Sequence, residues 1–303
     1  MTVGPVIPLD PQALEPAAVV RSFDRASRSY EPAAGLQQQV RDELLSRLDL
    51  LRERPQRVLD LGAGTGLGTL RLKQAFPRAQ VLALDAAPAM LAQVRRRSWP
   101  WRRLHPLCAD ARQIPLADAS VDLVFSNLML QWCQPPDRVL AEALRVLRPG
   151  GLLLLSSFGP DTLRELREAW ASVDDRVHVN RFVDMHDLGA ALQRAGAVEP
   201  VLDVDRLQLH HPDALALMRE LKAIGAHNVN AGRPRGLTGR RGWQQMLQAY
   251  EASRTPQGLP ATWEVVYGVA WAPAAAVRRG PAVAGESVVS VDAFAAGLRH
   301  KRR

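Results

Sequence analysis

Short apolar runs alternate with stretches of helical spacing between residue 57 and about residue 209. Val58, Leu59 and Leu61 form an apolar run that is typical of a buried parallel strand, and residues 67–76 then repeat apolar positions at helical spacing. Six further strands are predicted at 80–85, 104–109, 121–126, 150–155, 198–209 and 262–271, the last two antiparallel. This alternation predicts an α/β fold with a doubly wound, mostly parallel, Rossmann-like sheet of seven strands.

The segments outside this core have different patterns. Residues 1–15 contain three prolines and no periodicity, and we expect them to be disordered. Residues 16–50 are predicted to form a leading helical segment, which precedes the strand–helix core at 57–209. A helical insertion at 210–261 separates the last two strands, and 262–272 completes a single domain of residues 16–272. Such an insertion usually covers a site or docks a partner, whereas the basic tail at 273–303 is expected to be mobile.

A glycine-rich motif, V-L-D-L-G-A-G-T-G, joins the first strand to the following helix at residues 58–66. Gly62, Gly64 and Gly66 would let a ligand approach the backbone closely, and the helix N-terminus offers unpaired N–H groups. The dinucleotide fingerprint needs a third glycine at position 67, which is Leu67. Asp60 precedes the glycines instead, and an acid suits a ligand with an ammonium and a sulfonium. The motif resembles the first motif of class I methyltransferases, which implies S-adenosylmethionine as the cofactor.

Polar residues also follow the next three predicted strands. Asp85 lies about 20 residues beyond the glycines, where a carboxylate can accept hydrogen bonds from two ribose hydroxyls. Asp110 is placed to meet an adenine amino group, and Asn127 falls on the floor of the expected substrate site. Doubly wound sheets bind ligands at the carboxyl ends of their strands, so these groups together predict one binding site.

Composition restricts the class of protein. The chain has 303 residues, of which 47% are hydrophobic and 23% charged, as in ordinary globular domains. Because no apolar stretch approaches the roughly 20 residues that cross a bilayer and no signal pattern begins the chain, a cytoplasmic location without membrane contact is predicted. Cys108 and Cys133 are expected to be buried free thiols, and the histidines lack zinc-ligand spacing, so no metal is predicted.

The chain has an excess of basic residues, with 39 Lys and Arg against 31 Asp and Glu, a formal charge of +8. Clusters occur at 95–97, 102–103, 233–241 and 301–303. One interpretation is an ordinary solvated surface. The other is an acidic partner such as a carrier protein. Nucleic acid is disfavoured, because no recognisable module is present and aromatic residues make up only 5%.

Several longer segments point to one family of class I methyltransferases. They are S-F-D-R-A-S-R-S-Y at 22–30, F-G-P-D-T-L at 158–163, H-V-N-R-F-V-D-M-H-D-L-G at 178–189, L-K-A-I-G-A-H-N at 221–228, R-G-L-T-G-R-R at 235–241 and L-P-A-T-W-E-V-V-Y-G at 259–268. Together they resemble the malonyl-[acyl-carrier protein] O-methyltransferases of biotin synthesis over residues 16–273. The resemblance implies methyl transfer to the free carboxylate of a malonyl thioester on the phosphopantetheine arm of an acyl-carrier protein. The residues that match the family's cofactor motif are Asp60, Gly62, Gly64, Gly66, Asp85 and Asp110.

This chemistry requires few catalytic groups. A carboxylate with a pKa near about 4 is already ionised at neutral pH, so no general base is needed. The carboxylate does need a cationic or hydrogen-bonding partner, and arginine suits it geometrically. Our candidates are Tyr30, Arg164 and Arg181. Thr162 and Glu165 are spaced as a capping box, which predicts a helix start that places Arg164 in the first turn.

Three alternative functions stay open at this point. The chain could methylate another small carboxylic acid or a quinone. It could also be a non-catalytic assembly protein that keeps the S-adenosylmethionine fold. An RNA methyltransferase is disfavoured, because the strand-four signature N/D-P-P-Y/F is replaced by Ser126-Asn127-Leu128-Met129.

Overall fold

A seven-stranded mixed sheet organises the chain in the computed structural model, which describes residues 13–51, 53–233, 236 and 238–274. The strand order is β3-β2-β1-β4-β5-β7-β6, with β7 antiparallel to both of its neighbours and the other pairs parallel. The strands are β1 Arg57–Leu61, β2 Gln80–Asp85, β3 Leu104–Cys108, β4 Val121–Asn127, β5 Leu147–Phe158, β6 Val198–His211 and β7 Leu259–Trp271. The predicted fold class and the antiparallel last pair are confirmed. The expectations for residues 1–12 and 275–303 lie outside the described residues.

Helices cover both faces of the sheet. They are α1 Pro16–Ala26, α2 Tyr30–Ala33, α3 Gly35–Ser46, α4 Leu67–Ala75, α5 Pro88–Arg97, α6 Asp137–Val146, α7 Arg164–Ala171, α8 Met185–Ala195, α9 Ala214–Ala223 and α10 Arg240–Glu251. Buried side chains of α3, α4, α7, α9 and α10 form one apolar core, and those of α6 and α8 form a second on the opposite face. Two cores follow from the sheet itself, because successive side chains of a strand point to opposite faces.

The strand order reverses at β1, because β2 and β3 follow on one side of it and β4 and β5 on the other, and this defines where a ligand can bind. Strand β1 pairs with β2 on one side and with β4 on the other, so the connections that follow β1 and β4 diverge. In doubly wound sheets this divergence leaves a crevice at the carboxyl ends of the strands.

The leading segment and the insertion meet above that crevice. The Ser22 hydroxyl donates to the Gly225 carbonyl at 2.8 Å, and the Ser29 hydroxyl donates to the Ala223 carbonyl at 2.9 Å. The Glu15 backbone N–H donates to the Val229 carbonyl at 3.0 Å. These bonds join α1 and the turn after it to the end of α9, so that two segments distant in sequence form one cover.

The predicted capping box at 162–165 is wrong. Helix α7 begins at Arg164, after Leu163 in a left-handed conformation with φ of 55°. The Thr162 hydroxyl exchanges hydrogen bonds with the backbone of Glu264 at 3.1 Å, and the Glu165 carboxylate accepts from the Thr262 N–H at 3.0 Å. Both side chains therefore bind strand β7 and are not available to cap the helix.

The two cysteines differ in environment. Cys108 is exposed at the carboxyl end of edge strand β3, so the expectation of burial is wrong for it. Cys133 is half-buried, and burial raises the pKa of its thiol to about 12. Within the described residues, no helix has the length and apolarity to cross a membrane. Those same residues contain no group of three or more potential metal ligands.

Candidate active site

The glycine loop between β1 and α4 contains three left-handed residues with different neighbours. Gly62, Gly64 and Gly66 have φ values of 79°, 54° and 87°. A Cβ atom on Gly62 would lie 2.2 Å from the Met129 Cγ, and one on Gly66 would lie 2.8 Å from the Val94 Cγ2. A Cβ on Gly64 would meet no protein atom within 4 Å. Packing therefore requires the first and third glycines, whereas Gly64 borders open space that a ligand could enter.

Asp85 connects this loop to the end of β2. One carboxylate oxygen accepts from the Gly64 N–H and the other from the Ala87 N–H, both at 2.8 Å. Burial raises the pKa of Asp85 above its usual value, although the two backbone donors oppose this rise. The two bonds fix the plane of the carboxylate, and each oxygen keeps lone-pair capacity for a further donor.

Asp60 lies beneath the same loop. Its side chain is only 2% exposed and accepts a hydrogen bond of 2.5 Å from the Thr69 hydroxyl. Burial raises the pKa of Asp60 to about 7, while the bond from Thr69 lowers it. A buried carboxylate of this kind is stabilised by a cation, which is the property the sequence predicted for it.

The main cavity, of about 240 Å³, opens at the carboxyl ends of β1, β2 and β4. Of the predicted cofactor residues, it is lined by Gly62, Gly64, Asp85, Asp110 and Asn127. Asp60 lines a smaller adjoining cavity of about 60 Å³ together with Gly64. Gly66 lines neither cavity, because it packs against α5.

Two of the lining residues already bind protein groups. The Asp110 carboxylate pairs with the Arg112 guanidinium at 2.6 Å, and this arginine holds the pKa of Asp110 below its usual range. The Asn127 amide nitrogen donates to the Gln37 carbonyl at 3.1 Å, and its oxygen accepts from the Ser156 hydroxyl at 3.0 Å. Asn127 thus ties α3 to the sheet and shapes the cavity floor.

Arg41 on α3 is a site residue that the sequence analysis missed. It lines the smaller cavity with Asp60 and Gln37, and its guanidinium pairs with Asp42 at 2.9 Å. Burial raises the pKa of both Asp60 and Tyr30, and the Arg41 charge opposes part of this rise. A signal existed, because Gln37 and Arg41 lie at i and i+4 beside the buried Val40, on the inward face of α3.

Tyr30 lies at the junction of the main cavity with a second cavity of about 100 Å³. The two cavities share Phe23, Tyr30, Leu128 and Trp132 as lining residues. Burial, and to a smaller extent the Asp85 carboxylate, raise the pKa of Tyr30 to about 12, so the hydroxyl remains a donor at neutral pH. The second cavity continues beneath the insertion, and its described lining contains no Lys, Arg, Asp or Glu.

The two candidate arginines lie outside these cavities. The Arg164 side chain is 48% exposed, and its Nε lies 3.5 Å from the Glu165 carboxylate. Arg181 is exposed and lines a separate cavity of about 210 Å³ beside Trp170. Neither arginine is among the described residues that line the three cavities around Tyr30. The structure therefore brings one of the three substrate candidates to the site.

Comparison with known proteins agrees with this architecture. A family model described as a methyltransferase domain matches residues 59–155, which span β1 to β5. The structure of phosphoethanolamine N-methyltransferase 2 of Haemonchus contortus, determined in complex with S-adenosyl-L-methionine, has a TM-score of 0.51 with 18% identity. The alignment covers 82% of this chain and 57% of that one. At this identity the likeness concerns the fold alone.

Two curated relatives are much more similar. The malonyl-[acyl-carrier protein] O-methyltransferase of Laribacter hongkongensis is 53% identical over 266 residues, covering 85% of this chain and 90% of the relative. The protein of the same name from Methylovorus sp. is 48% identical over 274 residues, covering 88% and 93%. The alignments span nearly the whole length of both relatives, including the insertion that separates β6 from β7. The chain belongs to the malonyl-[acyl-carrier protein] O-methyltransferase family.

Proposed function

We propose that this protein transfers the methyl group of S-adenosylmethionine to the free carboxylate of malonyl-acyl-carrier protein, giving the methyl ester that primes pimeloyl synthesis for biotin. Membership of the family supports the substrate. The observation that carries the proposal is the position of Tyr30, a protonated hydroxyl between a nucleoside-sized cavity and a second, uncharged cavity. At such a junction, a methyl donor in the main cavity could meet the carboxylate at the end of an otherwise neutral thioester arm in the second cavity.

The residues of the main cavity fit the methyl donor. Gly64 leaves space against the loop, and Asp85 has remaining acceptor capacity for two ribose hydroxyls. Asp110 would accept from the adenine amino group. In the smaller cavity, Asp60 and Arg41 present opposite charges, which match the ammonium and the carboxylate of an amino acid. When bound, S-adenosylmethionine supplies an electrophilic methyl group on a positively charged sulfonium.

The protein then has to position the acceptor and exclude water. The Tyr30 hydroxyl would donate to one carboxylate oxygen and leave the other free to attack. Phe23 and Trp132 contact each other edge to face, with ring centroids 5.2 Å apart, and wall the junction. A carboxylate pKa near about 4 makes a general base unnecessary, so alignment and desolvation are the main contributions of these residues.

The acidic carrier protein is expected to dock on the basic side of the insertion. Arg240 and Arg241 begin α10 and are exposed, which favours them as contacts. Arg233 is paired with Glu15 at 2.8 Å and is less available, and Arg235 lies outside the described residues. A cytoplasmic location, where carrier proteins of fatty-acid synthesis are found, belongs to the same proposal.

Intact mass spectrometry of the carrier protein tests the function. Purified full-length protein with S-adenosylmethionine should add one methyl group to malonyl-carrier protein and none to acetyl-carrier protein, which has no free carboxylate. The same incubation with free small carboxylic acids and quinones tests the nearest alternative. Methylation of those compounds without methylation of malonyl-carrier protein would overturn the proposal, and no methylation at all would favour a non-catalytic protein.

A further inference from the structure

Among the described residues, three residues that line the second cavity have a buried polar atom without a hydrogen-bond partner, and two of these atoms have a fixed direction. These two are the indole Nε1 of Trp263, on β7, and the amide Oε1 of Gln131, in the 3₁₀ turn Leu130–Trp132. Their residues are 3% and 6% exposed. Most buried polar groups in folded proteins are paired, so unpaired groups on residues that line one cavity indicate a ligand or ordered water.

The direction of each group is fixed. An indole N–H can only donate. The Gln131 amide nitrogen donates to the Leu128 carbonyl at 2.6 Å, so turning the amide over would bring two acceptor oxygens together. The unpaired atom of Gln131 is therefore its Oε1, which can only accept. The Gln37 Oε1 is also unpaired, but no hydrogen bond among the described residues fixes the orientation of its amide.

The remaining polar side chains of the cavity do not change this pattern. His178, Asn180 and Asn228 already form hydrogen bonds with neighbouring residues. Burial lowers the pKa of His227, so its ring is neutral at neutral pH. For the two groups of fixed direction, the unmet requirement is thus one acceptor for Trp263 and one donor for Gln131, in a largely aromatic and aliphatic cavity without Lys, Arg, Asp or Glu among its described lining residues.

A carboxylate does not meet this requirement. It has no hydrogen to donate to the Gln131 Oε1, and two acceptor oxygens would repel each other in a site with no neighbouring cation. A secondary amide does meet it, because its C=O and N–H point in opposite directions and can bridge two walls. An amide of this kind lies two methylene groups beyond the sulfur of a pantetheine thioester.

We propose that the second cavity binds the first amide of the pantetheine arm, with the Trp263 N–H donating to its carbonyl and the Gln131 Oε1 accepting its N–H. This inference rests on the proposed function, and it assigns the specificity for an amide-bearing thioester to these two residues. The malonyl carboxylate then lies towards Tyr30, where the second cavity meets the main one.

Small thioesters test the assignment without a carrier. The probes are malonyl thioesters of N-acetylcysteamine, of N-acetyl-N-methylcysteamine, which has no N–H, and of pentanethiol, which has no amide. For the wild-type enzyme, kcat/KM should fall about tenfold on N-methylation, because a buried acceptor is left unpaired. Trp263→Phe keeps the ring against Phe158, and it should lower kcat/KM about tenfold for the N-acetylcysteamine thioester while leaving the pentanethiol thioester unchanged.

Equal kcat/KM for the first two probes, or an equal effect of Trp263→Phe on all three, would overturn the inference while methyl transfer itself continued. Carrier protein and coenzyme A share this amide, so Trp263→Phe should lower kcat/KM by the same factor for both malonyl derivatives. An effect confined to one of them would contradict the assignment. Failure of every malonyl substrate would instead contradict the proposed function.

Discussion

Replacing Gly64 by alanine is expected to weaken the binding of S-adenosylmethionine with little effect on the fold. The left-handed backbone at φ 54° costs an L-residue about 1–2 kcal/mol, partly offset by about 0.4–1 kcal/mol from the reduced freedom of the unfolded chain. No protein atom lies within 4 Å of the new Cβ, so no clash adds to the loss of stability. The methyl group instead enters the space assigned to the ligand. Overpacking of that kind costs about 1–3 kcal/mol, a rise in Kd of about 5- to 150-fold.

Gly150 provides a matched control. It is also left-handed, at φ 74°, and a Cβ there would meet nothing within 4 Å, but it lies in the first part of β5 and lines none of the three cavities around Tyr30. Gly150→Ala should therefore lose about the same stability, roughly 1 kcal/mol, and bind the ligand as the wild type does. Thermal unfolding and isothermal calorimetry measure the two effects. If Gly64→Ala bound with wild-type affinity, or lost affinity only as much as Gly150→Ala, the assignment of this loop to the ligand would be refuted.

Three further results are expected. Tyr30→Phe should lower kcat/KM for malonyl-carrier protein by about 12- to 150-fold, because it removes a hydrogen bond to a charged group worth about 1.5–3 kcal/mol. The Kd of the cofactor should not change. Near-normal turnover would mean that Tyr30 does not bind the carboxylate. Burial raises the pKa of Asp60 to about 7 in the folded protein, above its value in the unfolded chain. Protonation of Asp60 therefore stabilises the folded state. This stabilisation is complete below about pH 4 and is lost as the pH rises through about 7. Urea unfolding of the ligand-free protein at pH 5 and 8 should show this loss in the wild type and not in Asp60→Asn; equal pH dependence in both would contradict it. KM for malonyl-carrier protein should rise with salt concentration, because salt screens exposed charges such as those of Arg240 and Arg241. KM for a small malonyl thioester should not change with salt. Equal salt sensitivity of the two substrates would argue against docking of the carrier on these arginines.

The sheet could be predicted from the sequence because its determinants are local. Each strand carries its own apolar run, and the acid at the end of β2 follows directly from that run. The capping box failed for the opposite reason. Thr162 and Glu165 bind residues 97 to 102 positions away, in β7, and no local pattern contains those partners.

The same limit applied to the substrate side of the site. Arginine was expected beside the carboxylate on chemical grounds, but whether Arg164 and Arg181 reach the cavity depends on how the turns after β5 and before α8 lie on the sheet. The unpaired Trp263 N–H could not be predicted either, because its environment is made by the leading segment and the insertion together. Local sequence therefore predicted residues that line the main cavity, while tertiary contacts decided which substrate candidates lie beside it.

The most direct test is the identity of the methylated atom. Malonyl-carrier protein would be incubated with the enzyme and S-adenosylmethionine labelled with ¹³C in the methyl group, and the product followed by NMR before and after mild alkaline hydrolysis. We expect a single labelled methyl ester on the malonyl carboxylate, and mild hydrolysis should release its label as methanol. A label bound to carbon, nitrogen or sulfur, or an unlabelled carrier beside a labelled small acid, would contradict it.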